Sequence, residues 1–470
     1  MTKSTTCPCS ECERLREEVR RLTEKIAALE AELAKARKHS GNSSKPPSGD
    51  IVTPRKPPSN RDPKGKRKKG GQPGHDRHER LPFSADEIED FPEYRDSQCP
   101  CCGGLLHDVE MAAKTLQEVD LKELLIRVRE HRSIAQQCSE CHKLHFASFP
   151  PELVRAGLVG PQLTALVGFL KSACHMSYSG IRKFFRDVVG FRISRGQLRK
   201  LIGKVTNSLQ DPYEELLKLL PQEDQLNVDE TGHKDNGKRL WTWCFRAMTF
   251  TLFKISPSRG SAVLLEVLGE EFDGVLGCDY FSAYRKYMRL NENVSVQFCL
   301  AHLIRDVKFL AQHPDPRNRA YGERLLEHFR KLFHVIHRRE EYSSEQTFRR
   351  ALKRVRNALV WDATMESPLT NESENLADRF YRHIDSYFRF ITTPGIEPTN
   401  NLAEQAIRFV AIHRRLTQGT RGQAGQTWCE RIWTAIATCE QQDRSVFHFL
   451  VEAVTAYFQS SPAPSLVPDT

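Results

Sequence analysis

Hydrophobic positions set the first element. Leu15, Val19, Leu22, Ile26, Leu29 and Leu33 step by 4, 3, 4, 3 and 4 residues. This heptad seam predicts an amphipathic helix within residues 1–38, with Val19 and Ile26 at a and Leu22 and Leu29 at d. β-Branched a positions beside Leu at d favour a parallel two-stranded coiled coil. A single helix packed on its own chain fits the same spacing. Over residues 39–82 the apolar period is lost and Pro, Gly, Ser and Lys dominate, as in a flexible linker.

Helical spacing returns over 150–213. Leu163, Leu166, Val167 and Leu170 share one face, and Ile181, Phe184, Phe185 and Val188 share another that Gly190 should stop. Ser194 and Gln197 form a capping-box pattern ahead of Leu198, Leu201, Ile202 and Val205. This helix–turn–helix pattern makes Arg195, Arg199, Lys200 and Lys204 candidate DNA contacts; an ordinary helical hairpin explains it equally well. Short apolar strands then follow at 225–232, 240–246, 250–255, 274–280 and 294–299, with helices at 262–268 and 300–310. Residues 313–394 are charged and helical, and read as an insertion. Pro398, Asn400 and Asn401 open one more helix. On it Asn401, Glu404 and Arg408 share a polar face opposite Ala403, Ile407 and Val410.

Charge sharpens this picture. The chain has 470 residues, 70 Lys and Arg, 60 Asp and Glu, and a formal charge of +10. Residues 51–80 alone carry ten Lys and Arg, including the run Lys66, Arg67, Lys68 and Lys69, against Asp62, Asp76 and Glu79. Such a tether suits phosphates held without reading sequence. No apolar run approaches the ~20 residues of a membrane span, and the charged start has no leader pattern, so a cytoplasmic location is expected. Cys99, Cys102, Cys138 and Cys141 form two C-x-x-C pairs that can close one structural tetrahedral zinc site over 83–149. The 35 residues between the pairs exceed the usual ribbon spacing, and Cys101 is surplus. An alternating stretch from Ile126 to Ile134 could supply a hairpin strand. Cys7, Cys9 and Cys12 lack an obvious fourth ligand.

Asp229 and Asp279 each end an apolar strand, fifty positions apart. Carboxylates at the ends of buried strands are costly unless they bind something, and converging on hard divalent cations is the usual resolution. A turn-forming Asp is the plainer reading of either one alone. Glu404 also suits the N-terminal turn of its helix through the helix dipole.

In this order and spacing, NVDETG, GCDYFSAY and NNLAEQAIR resemble the three acidic motifs of the insertion sequence 66 family of bacterial transposases. The heptad helix, NSSKPPS, GGQPGH, CPCCG with CSEC, and YSGIRKFF resemble parts that family carries in the same order. The resemblance implies a multi-domain α/β protein. An RNase H-like mixed-sheet catalytic core would occupy 214–312 and 395–470, interrupted by the all-helical 313–394. It implies that Asp229, Asp279 and Glu404 are a DDE triad holding two Mg²⁺ (or Mn²⁺) ions for strand cleavage and 3′-OH strand transfer. The implied partners are the element's terminal repeats and target DNA, a second copy in the synaptic complex, and small accessory proteins; nucleoid association follows. Cys299-Leu300-Ala301-His302 is similar to a C-x-x-H signature of many DDE transposases. After Glu404 the sequence follows the family's general shape only, so Arg408, Arg414 and Arg415 stand as candidate DNA contacts. A non-catalytic DNA-binding descendant, a nuclease that cuts without joining, and a coiled-coil zinc adaptor are the competing readings.

Overall fold

The computed structural model describes residues 10–39, 41–43, 84, 101, 126–137, 139 and 144–468. The chain divides into two compact units, Met1–Pro54 with His131–Thr470, and Arg55–Glu130. Every described helix and strand belongs to the first.

Helix α1 (Ser10–Ala36) carries the heptad seam and buries none of its residues. Val19 is 61% and Leu22 47% exposed. Its end is tied down: Lys35 pairs with Glu372 at 2.9 Å, and just past the helix Lys38 lies over the Phe309 ring and Asn42 donates to Gln312 at 3.0 Å. The seam therefore has no partner helix among the described residues. Strands β1 (Ala135–Gln137) and β2 (Leu144–Phe146) make a small antiparallel hairpin. The strand expected over 126–134 is absent. Those residues are outside every described strand, and Val128 is 83% exposed.

Next come α2 (Pro151–Ala156), α3 (Pro161–Ser172), α4 (Tyr178–Phe184), α5 (Arg195–Ser208) and α6 (Gln210–Leu219). The segment Pro151–Ser172 is long and apolar enough, by length and composition alone, for a membrane span. This corrects the expectation that no run approaches that length. The segment nevertheless folds as two helices, because Gly157 turns at φ +61° and Pro161 starts the second. Six residues of α3 are buried, among them Ala165, Val167 and Leu170. Gly168 of α3 lets Val205 of α5 approach closely, since a Cβ there would lie 3.1 Å from Val205 Cγ1. Helix α4 runs into a π-turn at Phe185–Val189 before Gly190 ends it in the left-handed region. The wider turn moves the buried position from Val188, which is exposed, to Val189. Ser194 accepts from the Gln197 N–H at 3.1 Å, so the forward half of the capping box is made.

The core is a five-stranded mixed sheet: β3 (Gln225–Asp235), β4 (Lys238–Arg246), β5 (Thr251–Ser256), β6 (Val275–Cys278) and β7 (Ser295–Phe298). Its order is β5-β4-β3-β6-β7. The first three are antiparallel neighbours, and β6 and β7 run parallel to β3. Asn236 and Gly237, both at positive φ, turn β3 into β4, the residue pair that a tight hairpin demands. Helices α7 (Ala262–Leu268), α8 (Ser282–Leu290) and α9 (Leu300–Ala311) connect or follow the later strands. Residues 313–394 hold α10 (Pro316–His337), α11 (Glu345–Met365), α12 (Asn371–Tyr387) and α13 (Arg389–Thr392). The chain then returns to the sheet with α14 (Asn401–Thr417), α15 (Gln423–Gln441) and α16 (Val446–Gln459).

Helix α15 closes the β5 edge. The N–H groups of Thr251, Phe253 and Ile255 donate to Thr438 Oγ1, Thr434 Oγ1 and Glu430 Oε1 at 3.1, 3.0 and 2.7 Å. Four helical residues rise about 6.0 Å, close to the roughly 6.7 Å of two strand residues. Side chains every fourth position can therefore follow alternate N–H groups and satisfy an edge that would otherwise template pairing.

Candidate active site and basic cavity

Register brings the first two acids together. Gln225, Leu226 and Asn227 pair with Val275, Leu276 and Gly277. Carried two residues further, the same offset sets Asp279 beside Asp229. Side chains alternate along a strand. Asn227 and Asp229 thus face α14, where Asn227 Nδ2 donates to Asn400 Oδ1 at 2.9 Å. Glu230 faces the other way, accepting from Tyr284 at 2.6 Å and pairing with Arg259 at 2.8 Å.

Asn400 locks the third acid onto this pair. Its Nδ2 donates to the Val228 carbonyl at 2.8 Å, and its N–H donates to Cys299 Sγ at 3.2 Å. The Leu300 N–H reaches the Pro398 carbonyl at 2.9 Å. Gly277 makes room: a Cβ there would lie 2.5 Å from Asn227 Nδ2. Glu404 follows Asn400 by four residues, one helical turn on the same face. Its carboxylate meets His302 Nδ1 at 3.5 Å and Arg305 at 3.6 Å.

The electrostatics are those of acids held together. Burial, then the Glu230 and Asp279 charges, push the Asp229 carboxyl well above its ordinary range, and Glu404 adds to this. Burial also raises Asp279, opposed by the nearby His302 and the Phe281 N–H. Glu230 is raised to about 7 by burial and by Asp279, despite Tyr284 and Arg259. His302 is lowered by burial and by Arg305. Among the described residues, no Lys, Arg or His pairs with Asp229 or Asp279 within 4.0 Å. Buried carboxylates without a counter-cation fit divalent metal, which would neutralise them.

A different chemistry gathers at the far end of α14. Lys234, Asn236, Gly237, Arg414, Arg415, Gln418 and Arg421 line a cavity of about 590 Å³ with four cations and no acid. Arg414 is fixed by donating to Thr231 Oγ1 at 3.0 Å. Burial and the Arg415 charge disfavour its cationic form. The Gly419 backbone packs so closely on the Lys234 carbonyl that a Cβ would clash at 2.1 Å.

The remaining candidates are dispersed. Arg408 is exposed on α14, and Arg199 and Lys200 are exposed on α5. Arg195 donates to Ser179 at 2.8 Å. Lys204 is turned to the carbonyls of Arg155 and Ala156 at the end of α2, at 2.7 and 2.9 Å, which is a capping role. Cys99, Cys102, Cys138, Cys141, Lys66, Arg67, Lys68 and Lys69 lie outside the described residues. Sequence reasoning passes over Glu230, Arg259, Asn227 and the Lys234–Arg421 pair. The carboxylate next to Asp229 and the Asn-Gly turn after Lys234 are the available signals.

Comparison with protein families gives the class. Residues 156–427, more than half of the chain, match the transposase IS66 family. The chain belongs to that family of transposases. Residues 6–81 match a second family, described only as of unknown function (DUF6444). The chain is similar to two uncharacterized proteins of Sinorhizobium fredii, y4hP and y4qI. Each is 23% identical, over 73% and 67% of this chain and 68% and 63% of their own lengths.

Proposed function

We propose that the protein cleaves DNA at the ends of an insertion sequence and joins the resulting 3′-OH to target DNA, using Asp229, Asp279 and Glu404 as its catalytic acids. One observation carries this reading. Three acids from distant segments converge, from the middle of β3, the end of β6 and the first turn of α14, and Asp229 and Asp279 have raised proton affinities and no paired cation among the described residues. The sheet order, three antiparallel strands followed by two parallel ones, is the order of an RNase H-like core, and membership of a transposase family supports it. Asp229, Asp279 and Glu404 would hold Mg²⁺ (or Mn²⁺), which supplies charge neutralisation and a polarised phosphate when bound. Asn400, Asn227 and Gly277 hold the Glu404 helix in register with Asp229. His302 and Arg305 orient the Glu404 carboxylate.

Helix α14 also sets the path of the DNA. Glu404 and Arg414 are ten residues apart, about 15 Å along the axis. A strand with its scissile phosphate at the acids would thus lay phosphates a few nucleotides away into the cationic cavity. The exposed seam of α1 suits a parallel coil between two copies, and two copies supply the two active sites that joining a pair of ends requires. The zinc ribbon and the basic tether are proposed further contacts, and the location is cytoplasmic. The test is incubation with DNA carrying the terminal repeats, with Mg²⁺ or with EDTA. Mg²⁺-dependent nicking and joined products are expected. DNA binding with neither product would leave a non-catalytic DNA-binding protein, and nicks alone a simple nuclease.

A further inference from the structure

Beside the acids, Cys299 Sγ, a nitrogen of His302 and a carboxylate oxygen of Glu404 all lie within 4.8 Å of one another. Two of these groups are unsatisfied. His302 Nδ1 and Glu404 Oε1 are buried, and neither has a hydrogen-bond partner among the described residues. They face each other at 3.5 Å. Unpaired buried polar atoms are costly and call for an explanation. Their spacing offers one. Two ligands about 2.1 Å from a tetrahedral zinc sit about 3.4 Å apart, whereas neighbouring ligands of octahedral Mg²⁺ sit about 3.0 Å apart. The donor set agrees, because thiolate with imidazole selects zinc over magnesium.

The sulfur has a backbone donor. The Asn400 N–H donates to Cys299 Sγ at 3.2 Å, although burial raises the thiol above its ordinary range. That donor precedes the first turn of α14, where the helix dipole favours an anion. On binding, the thiol proton would pass to solvent and the thiolate would bond the ion.

We infer that Cys299, His302 and Glu404 form a second metal site, selective for Zn²⁺ over Mg²⁺, with a fourth position open to an outside ligand. Binding at this site does not depend on the proposed catalysis. Its consequence does: if Glu404 is a catalytic acid, zinc here withdraws it from Asp229 and Asp279 and switches the enzyme off.

Co²⁺ serves as the visible probe on the full-length chain, titrated against Zn²⁺. Cys299→Ser and His302→Gln should each bind about one equivalent less than the unaltered chain, or bind that equivalent at least about tenfold more weakly. Asp229→Asn should keep it. Melting curves show whether each variant is folded. A measurement needing no variant accompanies this: Zn²⁺, and not Mg²⁺, should slow alkylation of Cys299, read by peptide mass. Unchanged Co²⁺ stoichiometry in folded variants, or a Cys299 alkylation rate indifferent to Zn²⁺, overturns the site. Zinc protection in a chain without nuclease activity would sink only the catalytic reading; an active chain without zinc protection would sink only this one.

Discussion

The two ends of α14 differ in the sign of what they concentrate. At the first turn Glu404 joins Asp229 and Asp279, and burial with mutual repulsion raises the latter two. At the last turn Arg414 and Arg415 join Lys234 and Arg421 around a cavity without an acid. Each cluster sits where the helix dipole favours it, carboxylate at the start and cations at the end. Neither cluster neutralises the other, because the helix holds them about 15 Å apart. The difference teaches that one rigid element can hold opposite charges apart, so that under the proposed function each end would take its counter-charge from outside: divalent cation at one end, phosphate at the other.

The largest expected effect breaks the acidic end. Asp229→Asn or Glu404→Gln should lower strand joining by about 10³-fold or more, the scale of deleting one preorganised electrostatic group. Binding to terminal-repeat DNA, measured by gel shift, should be unchanged. Equal joining by either variant would remove the triad. The basic end is broken by Arg414→Ala with Arg415→Ala and Arg421→Ala. DNA affinity should fall, and the slope of log affinity against log salt should shrink by about one for each phosphate that is no longer neutralised. The cutting rate at saturating DNA should hold. A rate that collapsed with unchanged affinity would assign these arginines to the chemistry.

Titration separates the ends more finely. Glu230 is raised to about 7, so its contribution to stability is complete below its unfolded value and is lost as pH rises through about 7. Asp229 and Asp279, also raised, act in the same direction. His413 is lowered to about 3 and His233 to about 4, chiefly by burial. Their contribution is present above the unfolded histidine value and is lost as pH falls toward about 4. The metal-free protein should therefore melt highest between these limits. Mg²⁺ should raise the melting temperature above pH 7, by on the order of 1–3 kcal/mol of stability, and leave the acid limb unmoved. A Mg²⁺ effect equal at pH 5 and pH 8 would contradict metal binding by deprotonated acids.

The smallest effect lies far from both ends. Leu22→Lys with Leu29→Lys should convert a dimer to a monomer by sedimentation, with cleavage of a single end nearly unchanged. A dimer that survives would place self-association elsewhere.

Much of the site is legible in the chain as residues and little of it as geometry. Asp279 follows the end of β6 as its apolar run predicts, whereas Asp229, expected to end its strand, lies inside β3, which continues to Asp235 as a hairpin arm; the α14 start follows from Pro398 and the Asn pair. The seam of α1 is equally plain, since its period needs no partner to be seen. The alternation over 126–134 misleads, because a short run with a period of two does not by itself make a strand. Val188 falls on the wrong face because a π-turn adds a residue that helical spacing cannot foresee. The Asn227–Asn400 lock joins positions 173 residues apart and leaves no periodic trace.

The sequence by itself determined most of the strands and helices from residue 160 onward, which residues carry charge, and, through its ordered motifs, the family. These are local properties, set by side-chain spacing and backbone preference. Tertiary structure decided that Asp229 and Glu404 share a face, that Lys204 caps α2, and that Cys299 and His302 stand against Glu404. Those outcomes depend on strand register and on one buried asparagine docking a distant helix. Such contacts are set by the whole core at once, where a shift of one residue would turn Asp229 to the opposite face of the sheet.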